Sequence, residues 1–186
     1  MISDILIPFL AIALAELGDK TQLSVLLLSM KARNHLSLLL GVMLAFLLVD
    51  GFAIVVGSWI TRVIPLEVLK VASGAVFILF GLLILRELGK KEESEDDVNY
   101  DKNPFVSGFL LIFMAEWGDK TQIASALFAT KYDPWLVLVG MMAALGLLSV
   151  TAVYLGRFLI ARLDKRLITK VAGVLFILMG LSFLAL

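Results

Sequence analysis

The chain has 186 residues, of which 61% are hydrophobic and only 17% charged, and its 16 basic residues balance its 16 acidic ones. A soluble globular domain is nearer half apolar and a quarter charged, so this composition excludes one and implies a protein of the lipid bilayer. Zero net charge provides no basic face for nucleic acid and no broad field for an acidic substrate, and the absence of cysteine removes thiolate chemistry and thiolate metal sites.

In chain order, six apolar runs of membrane-crossing length are predicted at about 5–30, 36–60, 67–86, 104–130, 135–160 and 168–186. They are expected to be helices, because a segment in lipid must satisfy its own backbone. The opening "MISD" has no positively charged n-region, so the first run is expected to stay as a span rather than be cleaved. No transit extension is visible, which favours a prokaryotic plasma membrane. "AELGDKTQ" at 15–22 interrupts that first run, setting Glu16, Asp19, Lys20 and Gln22 among apolar neighbours. The single histidine, His35, sits where the first span ends, and the second run carries Asp50 in "FLLVDGFAIVV". After the third run, residues 86–103 hold seven acidic and four basic residues and read as a solvated linker. The fourth run brings the polar motif back as "AEWGDKTQ" at 115–122. Trp135, Tyr154 and Arg157 are expected at the membrane interfaces, and the glycines at 41, 74, 81, 140, 173 and 180 at close helix contacts.

The two halves repeat. A shift of 100 matches the motifs at seven of eight positions, with Trp117 for Leu17, and a shift of 99 aligns Gly41 with Gly140, Gly57 with Gly156 and Gly74 with Gly173. Residues 1–86 and 104–186 are therefore read as two copies of a three-helix unit within one membrane domain, joined by an acidic linker at 87–103. Three crossings per copy turn the second upside down. With the N-terminus outside, eleven basic residues (Lys31, Arg33, Arg86, Lys90, Lys91, Lys102, Arg157, Arg162, Lys165, Arg166 and Lys170) fall on the cytoplasmic side. Only Arg62, Lys70 and Lys131 fall opposite, which is a positive-inside bias. The expectation is an all-α integral membrane protein, multi-pass, with six transmembrane helices as two inverted three-helix repeats. Both termini lie outside and the linker is cytoplasmic.

A charge at the bilayer centre costs roughly 2.5–3.5 kcal/mol, so two motifs facing lipid would cost about 15–20 kcal/mol. They must face each other or water. Spacing on a continuous helix puts Glu16 and Asp19 (i,i+3) on one face, with Gln22 following and Lys20 four residues after Glu16; Glu116, Asp119, Lys120 and Gln122 repeat this. Gly18 and Gly118 permit close backbone approach or local unwinding. In an inverted repeat the two faces meet near the midplane. Four carboxylates and two lysines leave −2, which one divalent cation or two protons would neutralise; that is what cation–proton exchange requires. The carboxylates, the amide oxygens of Gln22 and Gln122, and the hydroxyls of Thr21 and Thr121 are hard donors suited to Mn²⁺, Ca²⁺ or Mg²⁺. Lys20 and Lys120 are expected to pair with carboxylates, and Met114 to be packing. Asp50, whose repeat equivalent is Ser149, is open between proton relay, accessory ligand and a local backbone cap.

Two copies of E-x-G-D-[K/R]-[T/S], each in the first helix of a three-helix repeat, resemble the small family of divalent cation–proton exchangers of Golgi, thylakoid and bacterial membranes, whose bacterial members include manganese exporters of the MneA type. The motif carries over as Glu16, Gly18, Asp19, Lys20 and Thr21, and as Glu116, Gly118, Asp119, Lys120 and Thr121. The resemblance implies Mn²⁺ or Ca²⁺ moved against protons with the acidic residues as the cation site, no resident cofactor, and a monomer or homodimer in the bilayer. Export of a cationic organic solute such as a basic amino acid is the alternative, weakened by the scarcity of aromatic residues beside the motifs. Hydrolysis is disfavoured: no buried histidine serves a serine, and the lysines would keep an Asp19–Asp119 pair ionised.

Overall fold

The computed structural model describes residues 1–87, 103–155 and 165–185; the side chains of Lys20, Leu66, Glu87, Lys165 and Ile168 are outside that description. The described residues are helical throughout: α1 (Ile2–Glu16), α2 (Lys20–Lys31), α3 (His35–Ile60), α4 (Leu66–Glu87), α5 (Pro104–Ala115), α6 (Lys120–Lys131), α7 (Pro134–Val150) and α8 (Lys165–Ala185), with a π-helical turn at Thr151–Leu155. Side-chain caps mark three starts. Asn34 accepts from Ser37 N–H, Asn103 from Phe105 N–H, and Asp133 from Trp135 and Leu136 N–H. Pro104 and Pro134 then occupy first-turn positions, where a missing N–H costs nothing.

Among the described residues, three helices are long and apolar enough to cross a membrane: His35–Ile60, Glu67–Arg86 and Pro134–Leu155. Pro104–Ala115 and Thr169–Ala185 are shorter apolar helices. The outward face of α3, with Leu40, Leu44, Leu47, Leu48 and Val55 all exposed, is apolar like its buried face. A helix apolar on every side suits lipid, not water.

The segments expected as continuous helices at 5–30 and 104–130 are each two helices, broken at 17–19 and 116–119. The physical reason is in the motif: Gly18 and Gly118 have φ of 79° and 85°, which a right-handed helix cannot contain. The shared helical face inferred for Glu16 and Asp19 is corrected accordingly, since Asp19 lies beyond the end of α1. The acidic linker at 87–103, apart from its ends, and Gly156, Arg157 and Arg162 lie outside the described residues.

Packing between the copies is reciprocal. Gly41 of α3 lies against the backbone of Phe105, and its repeat equivalent Gly140 of α7 lies against the backbone of Ile5. On the other side, Gly74 meets the carbonyl of Gly180 and Gly81 that of Gly173. One number rises as the other falls, so α4 and α8 cross antiparallel. The paired residues Phe77 and Phe176 meet edge to face at 5.6 Å, joined by Phe128 at 5.0 Å and Phe183 at 5.3 Å from Phe77. A methyl at Gly41 would collide with the Phe105 carbonyl, whereas one at Gly51, on the same helix, meets nothing within 4 Å. Gly41→Ala is expected to destabilise by about 1–3 kcal/mol, and Gly51→Ala to stabilise by up to ~1 kcal/mol. Thermal unfolding in detergent checks both.

Candidate cation site

Each motif is a turn between two half-helices. At the first, α1 ends on Glu16, Leu17 is extended (φ −67°, ψ 111°), and Gly18 takes φ 79°. The Asp19 N–H then reaches the Glu16 carbonyl at 3.2 Å. This is a type II turn, which needs glycine at its third position. The second motif repeats the bond, Asp119 N–H to Glu116 carbonyl at 3.2 Å, with Gly118 at φ 85°. A side chain at Gly118 would meet nothing within 4 Å, so only backbone strain opposes it. Gly118→Ala should therefore cost about 1–2 kcal/mol; Gly118→Asn, tolerant of that φ, should cost less. Thermal unfolding of the two variants compares them.

Gln22 and Gln122 clamp these turns. Gln22 Oε1 accepts from Gly18 N–H at 2.5 Å and Gln122 Oε1 from Gly118 N–H at 2.7 Å. Their amide nitrogens donate to equivalent carbonyls of the opposite copy, Leu148 at 3.5 Å and Val49 at 3.3 Å. Each amide oxygen expected to support a cation thus accepts one backbone N–H with a second lone pair left over, and through that bond the glutamines position the turns.

The two motifs come together through side-chain contacts between them. Thr121 Oγ1 donates to Glu16 Oε1, and Thr21 lies beside the Glu116 carboxyl group. Lys120 Nζ sits 2.6 Å from Asp19 Oδ2, an ion pair between copies rather than the pairing with Glu116 four residues earlier. Lys20's side chain is outside the described residues. Glu16 and Glu116 are both buried, at 4% and 2% exposure, and Glu116 Oε2 has no hydrogen-bond partner among the described residues. Among those residues, no three acidic or histidine side chains stand close enough to chelate an ion together. Threonine and lysine bridge the carboxylates instead.

The half-helix ends add to this field. α1 and α5 point C-terminal carbonyls at the breaks, favourable to a cation, while Asp19 and Asp119 stand where N-terminal N–H groups of α2 and α6 favour an anion. A narrow cleft reaches the first motif between Glu16, Thr21, Gln22, Phe46, Leu145 and Ser149. Asp50 is buried, its Oδ1 2.8 Å from Ser125 Oγ. Ser125 was not singled out by sequence reasoning; its signal is its place one helical turn after Thr121. Met114, expected to be packing, is instead exposed. Trp117, exposed, stacks on Phe52 at 5.9 Å and lies tilted against Phe113 at 5.2 Å.

A family model described as "Divalent cation/proton antiporter GDT1" matches residues 4–92 and 104–185. A Vibrio cholerae protein named "Putative manganese exporter" is 33% identical over 184 residues, covering 98% of this chain and 90% of that one. A GDT1-like protein of Synechocystis is 28% identical over 188 residues, covering 91% and 90%. GDT1-like protein 5 of Oryza sativa is 26% identical over 205 residues, covering 90% and 88%. No solved structure matches the chain.

Proposed function

The chain belongs to the GDT1 family of divalent cation/proton antiporters, and from that premise we propose that it exports Mn²⁺, with Ca²⁺ accepted by the same oxygens, from the cytoplasm in exchange for protons. Glu16, Asp19, Glu116 and Asp119 bind the ion and take up protons in its place. Thr21 and Thr121 lend hydroxyls and steer the opposite copy's glutamate. Lys120 competes with the cation for Asp19 Oδ2, so the positive charge on that oxygen is exchanged rather than lost. The reading is carried by one observation: the second motif holds the first, Thr121 bonding Glu16 and Lys120 pairing with Asp19, which makes a single shared site the economical account of the duplication.

Six crossings, in two inverted three-helix repeats, are part of this proposal. The antiparallel α4–α8 crossing supports it, as do helix pairs at 1–31 and 104–131 long enough to cross only when taken together. Discontinuous spans meeting at a shared site are the arrangement in which two halves rock to give alternating access. The orientation follows the basic-residue bias, with both termini outside a bacterial plasma membrane and the acidic linker in the cytoplasm.

Proteoliposomes with an acidic interior should accumulate Mn²⁺ as protons leave, and a protonophore should abolish the uptake. Uptake no greater than in protein-free vesicles would reject the proposal. A matching lysine flux with none of Mn²⁺ or Ca²⁺ would favour the organic-solute alternative.

A further inference from the structure

One buried carboxylate stands outside the doubled motifs and outside the repeat. The 99-residue shift sets Asp50 against Ser149, and the 100-residue shift sets Ser125 against Val25. The Asp50–Ser125 pair at the α3–α6 contact therefore has no counterpart between α7 and α2. Asp50 is 1% exposed and Ser125 is fully buried.

The geometry around Ser125 constrains where hydrogens lie. Its Oγ is 2.8 Å from Asp50 Oδ1 and 2.6 Å from the Thr121 carbonyl oxygen. A serine hydroxyl has one hydrogen, and both a carbonyl oxygen and an ionised carboxylate only accept. With Asp50 ionised, one of these two short contacts would set lone pair against lone pair. With Asp50 neutral, its O–H donates to Ser125 Oγ, which donates to the Thr121 carbonyl, and both contacts are hydrogen bonds. Asp50 Oδ2 is buried with no partner among the described residues; a neutral carboxyl's second oxygen bears that far more cheaply than a carboxylate's.

The charged groups facing Asp50 explain how its proton is linked to the cation. Glu116, just after α5, and Asp119, which opens α6, both repel charge on Asp50 or are repelled by it. α7 has no charged residue, and Lys120 of α6 is held by Asp19. Burial disfavours charge on Asp50 and this repulsion adds to it; a divalent cation on Glu116 and Asp119 would remove the added part and favour release of the proton. The proton would then leave Asp50 Oδ1 for water, and the Ser125 hydroxyl would turn from the Thr121 carbonyl to donate to Asp50. Thr121 is the residue whose side chain holds Glu16, so the turn of one hydroxyl reaches the shared site.

We propose that Asp50, partnered by Ser125, carries a proton additional to those on the four motif carboxylates, making the exchange three protons for one divalent cation and therefore driven by membrane voltage. This rests on the cation–proton reading above but concerns its stoichiometry. Its carboxylate touches Ser125, not a motif carboxylate, so the two roles separate by mutation.

The test is Mn²⁺ flux in proteoliposomes under a valinomycin-imposed potassium potential with no pH gradient, and separately under a pH gradient with the potential clamped. The wild type should respond to both. Asp50→Asn should keep pH-driven flux within about threefold and lose at least tenfold of the voltage-driven flux. A wild type indifferent to voltage, an Asp50→Asn variant with the full voltage response, or one that has lost both fluxes while still binding Mn²⁺ would each overturn the proposal. Should Asp50→Asn not fold, Ser125→Ala decides. It deprives ionised Asp50 of its hydroxyl donor, so half-maximal voltage-driven flux should move to higher pH, and an unmoved profile would overturn the proposal. A wild type with no cation flux under either gradient would instead overturn the antiport reading itself.

Discussion

Glu116→Gln is expected to lower Mn²⁺ flux by about 100-fold or more while leaving the helices intact. Glu116 is buried, and a glutamine of the same shape fills its place, so the local structure has little reason to collapse. What disappears is one unit of negative charge from a site that must offset a divalent ion. Removing one member of a buried charge arrangement costs on the order of 3–5 kcal/mol, and each ~1.4 kcal/mol is tenfold in binding. Glu16→Gln should do the same, because Glu16 occupies the matching place with Thr121 as its donor. Equal losses from opposite ends of the chain are the signature of one pocket. Initial uptake rates at subsaturating Mn²⁺, with circular dichroism as the control for helix content, check this prediction.

Lys120→Met should move the protein in the opposite electrostatic direction. Asp19 loses the ammonium group 2.6 Å from its Oδ2, and the joint site goes from −2 to −3. Without added metal the variant should unfold at lower temperature, by an amount corresponding to roughly 1–3 kcal/mol, the buried-pair penalty reduced because both partners keep some solvent contact. With Mn²⁺ the extra negative charge should tighten binding by about tenfold. The metal-induced rise in unfolding temperature is then larger than in wild type. Slower release should accompany it, so turnover falls although affinity rises. Glu116→Gln shrinks the metal-induced rise and Lys120→Met enlarges it. A purely structural clasp between the copies would move neither in this paired, opposite way.

The doubled motif was legible because lipid makes charge conspicuous. Glu16, Asp19, Glu116 and Asp119 have no cheap explanation in apolar runs, and their recurrence at a spacing of 100 already implied a common destination. The break in the helix was only half legible. Glycine announced permission for it, but the positive φ that makes the Glu-x-Gly-Asp segment a turn belongs to the folded backbone. Spacing along one helix also misdirected the pairing: it offered Glu116 to Lys120 at i,i+4, whereas the ion pair forms with Asp19 of the other copy. The glutamines looked like oxygen donors because their amides sit beside carboxylates in the sequence. Bond by bond, those oxygens hold the glycine N–H groups of the turns. Ser125 had only its place one turn after Thr121 to mark it, a lone serine in an apolar helix being ordinary, and its meaning comes from Asp50 arriving across the α3–α6 contact.

The shared pocket is tested most directly by counting Mn²⁺ bound to the purified protein, by electron paramagnetic resonance or calorimetry, in the wild type and in each glutamate variant. One tight ion per chain in the wild type, and none at the same concentration in either Glu16→Gln or Glu116→Gln, is the expected result. Two ions per chain, with each variant losing one and keeping the other, would mean that the motifs bind separately and would contradict a single site built from both halves.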